Sequence, residues 1–141
     1  MQGGELAPRS DLVPRAELVP GTELAPCPKS PNCVSSQATE AGHAIEPLQV
    51  TGDPVVAWTT LKGVLESMDR MQIVEESDTV LRAEATSRLF RFVDDLEFIL
   101  DAETPTIHVR SASRVGYSDM GANRKRVEAI RQKLKDACTG S

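Results

Sequence analysis

DDLEFILDAETPTIHVRSAS, residues 94–113, is the stretch that decides the fold. In its first half Leu96, Phe98 and Leu100 are apolar, while Asp95 and Glu97 between them are charged. In its second half Ile107 and Val109 share a face with Ser111 and Ser113, and His108 and Arg110 point the other way. A period of two marks two strands with one covered face. The connector Ala102-Glu103-Thr104-Pro105 reads as a four-residue turn, so Asp101 should pair with Thr106. Counting back sets Leu100 against Ile107, Phe98 against Val109, Leu96 against Ser111 and Asp94 against Ser113. On the opposite face Glu97 then meets Arg110, a cross-strand ion pair, and Val93 meets Arg114. This register places the apolar residues of both strands on one side, and a slip by one residue would scatter them.

Working outward, Met71–Glu76 and Thr79–Thr86 read as two further strands joined at Ser77-Asp78, with Leu81, Ala83 and Ala85 on the inner face. The third strand falls within Leu89–Asp101, with Phe90 and Phe92 counted among its apolar positions, and the fourth runs from Thr106 to Val115. Before them, Asp53 is an N-cap candidate and Pro54 suits the first helical position. Trp58, Leu61, Val64, Leu65 and Met68 follow at helical spacing, so this helix should bury Trp58 and end near Asp69. Val127, Ile130 and Leu134 form the stripe of a last helix that begins after Gly116-Tyr117-Ser118-Asp119. Ala44–Val50 alternates weakly and suits an edge strand, where Pro47 is tolerated. The expected fold is α+β: an antiparallel sheet of four to five strands with two helices packed on one face.

The first 26 residues differ in kind. Glu5-Leu6-Ala7-Pro8, Asp11-Leu12-Val13-Pro14, Glu17-Leu18-Val19-Pro20 and Glu23-Leu24-Ala25-Pro26 repeat every six residues. Proline at that period blocks a helix and favours an extended chain, and few apolar groups offset the entropy of ordering it. Residues 1–26 are therefore expected to be a flexible arm, a tether or a short motif for a protein partner, ahead of a single domain over 27–138. Residues 27–36 are rich in turn formers.

The whole chain carries a net charge of −5, which disfavours a nucleic-acid partner. No apolar run reaches the roughly 20 residues of a membrane span, and no secretory signal opens the chain. Read as written, the protein is expected to be soluble and cytoplasmic; a removed leader would shift that to the cell envelope or periplasm. Three cysteines, Cys27, Cys33 and Cys138, and two histidines, His43 and His108, show no metal-ligand spacing, so neither a metal nor a cofactor is expected.

Three segments carry a family resemblance: Cys27-Pro28-Lys29-Ser30-Pro31-Asn32-Cys33-Val34-Ser35-Ser36, the Phe92–Phe98 strand, and Arg110 through Arg124 with its Gly116-Tyr117-Ser118-Asp119 core. From about Leu24 to about Lys135 the chain resembles the domain of unknown function 1499 family. The resemblance implies a small bacterial or plastid domain, often carried on membrane-anchored or exported chains, and it implies no activity.

Each polar candidate has a structural reading beside a functional one. Cys27 and Cys33 can form a disulfide in an oxidising compartment or remain two thiols, and their spacing does not match a redox motif. Asp94 and Asp95 point to opposite faces and so cannot act as a carboxylate dyad; Asp94 interrupts the apolar face and needs donors, which Ser113 or a neighbour should supply. Arg82, Arg91, Arg110 and Arg114 read as a solvated charged face, or else as an anion site. Residues 116–124, with Asp119, Asn123 and Arg124, read as a strand-to-helix corner, or else as an anion-binding helix start. Together Asp94, Asp95, Arg110, Ser111, Ser113, Arg114, Asp119, Asn123 and Arg124 are candidates for a ligand site or a structural polar cluster. The expected function is a noncatalytic binding or assembly module. The alternative is an enzyme or anionic small-ligand binder using the region of Asp94, Arg114 and Asn123.

Overall fold

The computed structural model describes residues 23–89, 91–116 and 120–139. The expected flexibility of the first three repeat units, and the corner residues 117–119 with Asp119, lie outside them.

The central hairpin pairs β5 (Val93–Asp101) with β6 (Thr106–Ser113). Asp101 faces Thr106, Leu96 faces Ser111 and Asp94 faces Ser113, the expected register without a slip or bulge. β4 (Val80–Thr86) lies on the other side of β5, with Leu81 against Phe98, Ala83 against Leu96 and Ala85 against Asp94. β3 (Met71–Glu76) forms the far edge, with a bulge at Val74 between Ile73 and Glu75. α1 (Pro54–Ser67) starts where expected, its N-cap Asp53 accepting from the Val55 amide at 2.8 Å. α2 (Ala122–Thr139) packs beside it. Trp58, Leu61, Leu65, Val127, Ile130 and Leu134 from the helices meet Leu81, Leu96, Phe98, Leu100, Ile107 and Val109 from the sheet in one buried cluster. Trp58 is buried, and its indole N–H donates to the Ser77 carbonyl at 3.0 Å. The chain is α+β.

The sheet has six strands among the described residues, one more than the upper expectation. The extra ones share the free edge of β6. β2 (Leu48–Gln49) pairs with its start, Leu48 against Ile107, and β1 (Cys33–Ser35) pairs with its end, Cys33 against Ala112. The strand anticipated over Ala44–Val50 is thus two residues long, and the segment read as turns contains a strand.

Two further readings change. Phe92 was placed on the apolar face, but β5 begins only at Val93 and Phe92 is 54% exposed. The hairpin closes with the Ser87 amide donating to the Phe92 carbonyl at 2.8 Å, and Arg91 adopts φ 60°, which breaks the alternation before the strand begins. Val115 likewise falls beyond β6 and is exposed.

The larger change concerns the outer face of the sheet. Arg82 and Arg110 read as part of a solvated face, yet they are 8% and 3% exposed, and Glu97 beside them is 5% exposed. Residues 23–27 cover them as a strap. Cys27 is disulfide-bonded to Cys33 in β1, Arg110 of β6 donates to the Pro26 carbonyl at 3.1 Å, and Leu24 packs on Ile99 of β5 and Val80 of β4. The strap therefore crosses four strands in succession. Leu24 and Ala25, counted with the arm in the sequence, are buried.

Candidate functional site

The register of β5 and β6 sets Asp94, Ser111 and Ser113 on the face that α2 covers. Asn123, in the first turn of α2, enters the space between them and has no exposed surface. Its side-chain oxygen accepts from the Ser111 hydroxyl and from Arg126 Nη1 at 3.1 Å. Its amide nitrogen donates to Ser113 Oγ at 2.9 Å and to the Asn32 carbonyl at 3.2 Å. A primary amide offers two donors and two acceptor positions, and here each has a partner. Leaving one such buried group unpaired would cost about 1–3 kcal/mol.

Asp94 finds its donor on α2: Arg126 Nη1 lies 2.7 Å from its Oδ2, both side chains being largely buried. Breaking such a pair by removing one partner costs about 3–5 kcal/mol. Asn32 extends the network to the corner after β6. Its side chain donates to the Gly116 carbonyl at 2.7 Å and accepts from the Ser30 hydroxyl at 2.8 Å. Its carbonyl also takes the Ser113 amide at 3.0 Å. The turn before β1, the end of β6 and the start of α2 are thus joined through two asparagines.

Two arginines of α2 hold the 42–47 loop. Arg124 donates to the carbonyls of Ala44 at 2.9 Å and Gly42 at 3.4 Å, and Arg131 to those of Pro47 and Glu46, both at 2.8 Å. His43 of that loop is buried, with Nδ1 2.9 Å from the Cys33 carbonyl.

On the outer face Arg82 and Arg114 meet the protein's own acids. Arg82 contacts Glu97 at 2.8 Å and Glu75 at 3.0 Å. Glu97, opposite Arg110 in register, is gripped instead by its other neighbour Arg82. Arg114 takes Asp95 bidentately at 2.8 and 2.9 Å and Glu84 at 2.7 Å. The hydrogen bond that Arg114 donates to Asp95 raises the Arg114 pKa above its ordinary value, and Glu84 adds to the effect.

The candidates therefore separate. Asp94, Ser111, Ser113 and Asn123 form one buried cluster; Asp95 and Arg114 form an exposed pair on the other face; Arg110 lies under the strap; Arg124 lies on the loop side of α2. Arg126 and Asn32 complete the buried cluster and were missed by sequence reasoning. Arg126 stands three residues after Asn123, a helical spacing that could have revealed it; Asn32 read only as a turn former. Neither serine of the cluster contacts an imidazole. The hydroxyl–imidazole contact seen among the described residues is elsewhere: Ser36 Oγ lies 3.1 Å from His108 Nδ1 and accepts the Val109 amide at 2.8 Å. No acid among the described residues bonds to the far nitrogen of His108, so no third member that would orient a catalytic imidazole stands among them.

Among the described residues, no helix is long and apolar enough to cross a membrane. No three His, Cys, Asp or Glu residues among them converge as a metal site would require. Comparison with curated proteins finds no match. A family model covers residues 23–134, from the strap through the last apolar residue of the α2 stripe, and the chain belongs to that family, described as protein of unknown function (DUF1499).

Proposed function

We propose that the domain is a noncatalytic binding or assembly module. The carrying observation is Asn123: a fully buried amide whose donors and acceptors are all taken up by Ser111, Ser113, Asn32 and Arg126. Groups kept for chemistry keep a face toward a substrate, whereas this cluster spends its polar atoms joining α2 to the sheet. Arg114, the candidate for anion recognition, lies on the other face of the sheet and is already held by two carboxylates. The arm ahead of the strap serves as a tether or partner motif, and the net charge of −5 disfavours a nucleic-acid partner. The Cys27–Cys33 disulfide supports an oxidising compartment.

Substitutions at Asp94 test the reading through stability. Asp94→Asn should retain hydrogen-bonding atoms for Arg126 and cost less than Asp94→Leu, which should lose about 3 kcal/mol by leaving a largely buried guanidinium without its carboxylate. Catalytic groups are commonly held at a cost to stability. An Asp94→Leu protein as stable as the parent, or more so, in urea denaturation would contradict the reading.

A further inference from the structure

The described arginines divide into two groups. Most are engaged with carboxylates or carbonyls, but Arg70, Arg88 and Arg91 make no side-chain hydrogen bond or ion pair among the described residues. All three lie at one end of the sheet. Arg70 immediately precedes β3, and its carbonyl accepts the Thr86 amide at the end of β4; Arg88 and Arg91 are in the turn joining β4 to β5. Arg70 and Arg91 line one cleft of about 280 Å³ with Gln72 and Thr86. Its lining includes one carboxylate, Glu84, which is bound to Arg114 at 2.7 Å.

The backbone gives these two arginines a second distinction. Their φ angles are 59° and 60°, the left-handed region that glycine and asparagine occupy at least cost. A long charged side chain there is not chosen for the turn itself.

Beside the cleft, Leu89 and Phe92 of the same turn are exposed. Leu89, between the two turn arginines, is 77% exposed, and Phe92 stands at the turn's end. Val115 and Met120, on the corner that leaves β6 at this end, are exposed as well. A small free anion would use the arginines but not Leu89. A bilayer interface uses both, because lipid phosphates attract the guanidinium groups while leucine and phenylalanine enter the headgroup boundary. The chain's net charge of −5 makes the attraction local: the acids Glu84, Asp94 and Asp95 at this end are paired with Arg114 and Arg126, and charges farther off are screened beyond about 10 Å at about 0.1 M salt.

We propose that this end of the domain docks on an anionic membrane surface, with a lipid phosphate in the cleft between Arg70 and Arg91 and Leu89 inserted beside it. The proposal gives the binding-module reading a partner and rests on it. Failure to bind vesicles overturns the lipid partner alone, whereas a stabilising Asp94 substitution overturns the module reading itself.

The test is sedimentation of the full chain with vesicles of phosphatidylcholine alone and of phosphatidylcholine with about 30% phosphatidylglycerol, at an ionic strength of about 0.1 M. The parent should bind the anionic vesicles and not the neutral ones. Arg70→Gly with Arg91→Gly relieves both left-handed positions, so the variant should fold, verified by its melting temperature, while binding falls about 25-fold. Leu89→Ser should weaken binding about tenfold without altering its preference for anionic vesicles. Equal binding to both vesicle types, or undiminished binding by the folded double-glycine variant, overturns the proposal. So does saturable binding of glycerol phosphate or an acidic peptide to a protein that leaves anionic vesicles unbound.

Discussion

Asp94 shows how far one residue can be read before the fold is seen. Its place on the apolar face follows from alternation, and a buried carboxylate needs a donor. The serines opposite it were therefore the expected partners, and Ser113 does face it in register. The donor is Arg126, supplied by α2, because strand pairing determines which residues face each other across the sheet and says nothing of what the covering helix brings down. Asp101 is simpler, since its partners are local. Its carboxylate accepts from the Thr104 hydroxyl at 2.8 Å and from the amides of Glu103 and Thr104, closing the turn between β5 and β6. The Thr104 hydroxyl is the main cause that lowers its pKa below the ordinary 3.8, with the two amides helping. A depressed carboxylate pKa stabilises the folded state above the ordinary value, and that contribution is lost as pH falls through the folded-state pKa. An NMR titration should place the Asp101 midpoint below 3.8, and Thr104→Val should raise it toward that value. An unchanged midpoint in the variant would assign the shift elsewhere.

The long elements were legible, and the short ones were not. β4, β5 and β6 are seven to nine residues long and show their period. The four-residue turn then leaves one register that keeps Leu96, Phe98, Leu100, Ile107 and Val109 together. β1 and β2, with three and two residues, are too short to display alternation, and only the open edge of β6 makes them strands. The strap was hidden for a related reason. Glu23-Leu24-Ala25-Pro26 repeats the units before it, and nothing local says that this copy packs. Its covering role explains why Arg82, Glu97 and Arg110 are buried on a face whose pattern reads as solvated. Removing the disulfide with Cys27→Ser and Cys33→Ser should cost about 2 kcal/mol for so short a loop. It should also speed exchange of the Leu24 amide, which donates to Gln37 Oε1 at 2.7 Å. Unchanged stability and an unchanged exchange rate would mean that the strap is held without the disulfide.

At the scale of the whole molecule, the polar residues that look most like a site are the ones that assemble it. Asn123 and Asn32 join the turn before β1, the end of β6 and the start of α2; Arg124 and Arg131 fasten the loop between β1 and β2 to that helix. This leaves Arg70, Arg88 and Arg91, with Leu89 beside them, as the unengaged end at which a partner would meet the domain. The central claim is that the cluster around Asn123 serves the fold. Urea denaturation of Asn123→Ala measures it most directly, because the substitution strands the buried Ser111 hydroxyl, takes the donor from Ser113 Oγ and removes one of the two donors to the Asn32 carbonyl. The midpoint should fall with an unchanged m-value, corresponding to a loss of about 2–4 kcal/mol. A midpoint equal to or above that of the parent would show that Asn123 is not held there for stability, and would contradict the account.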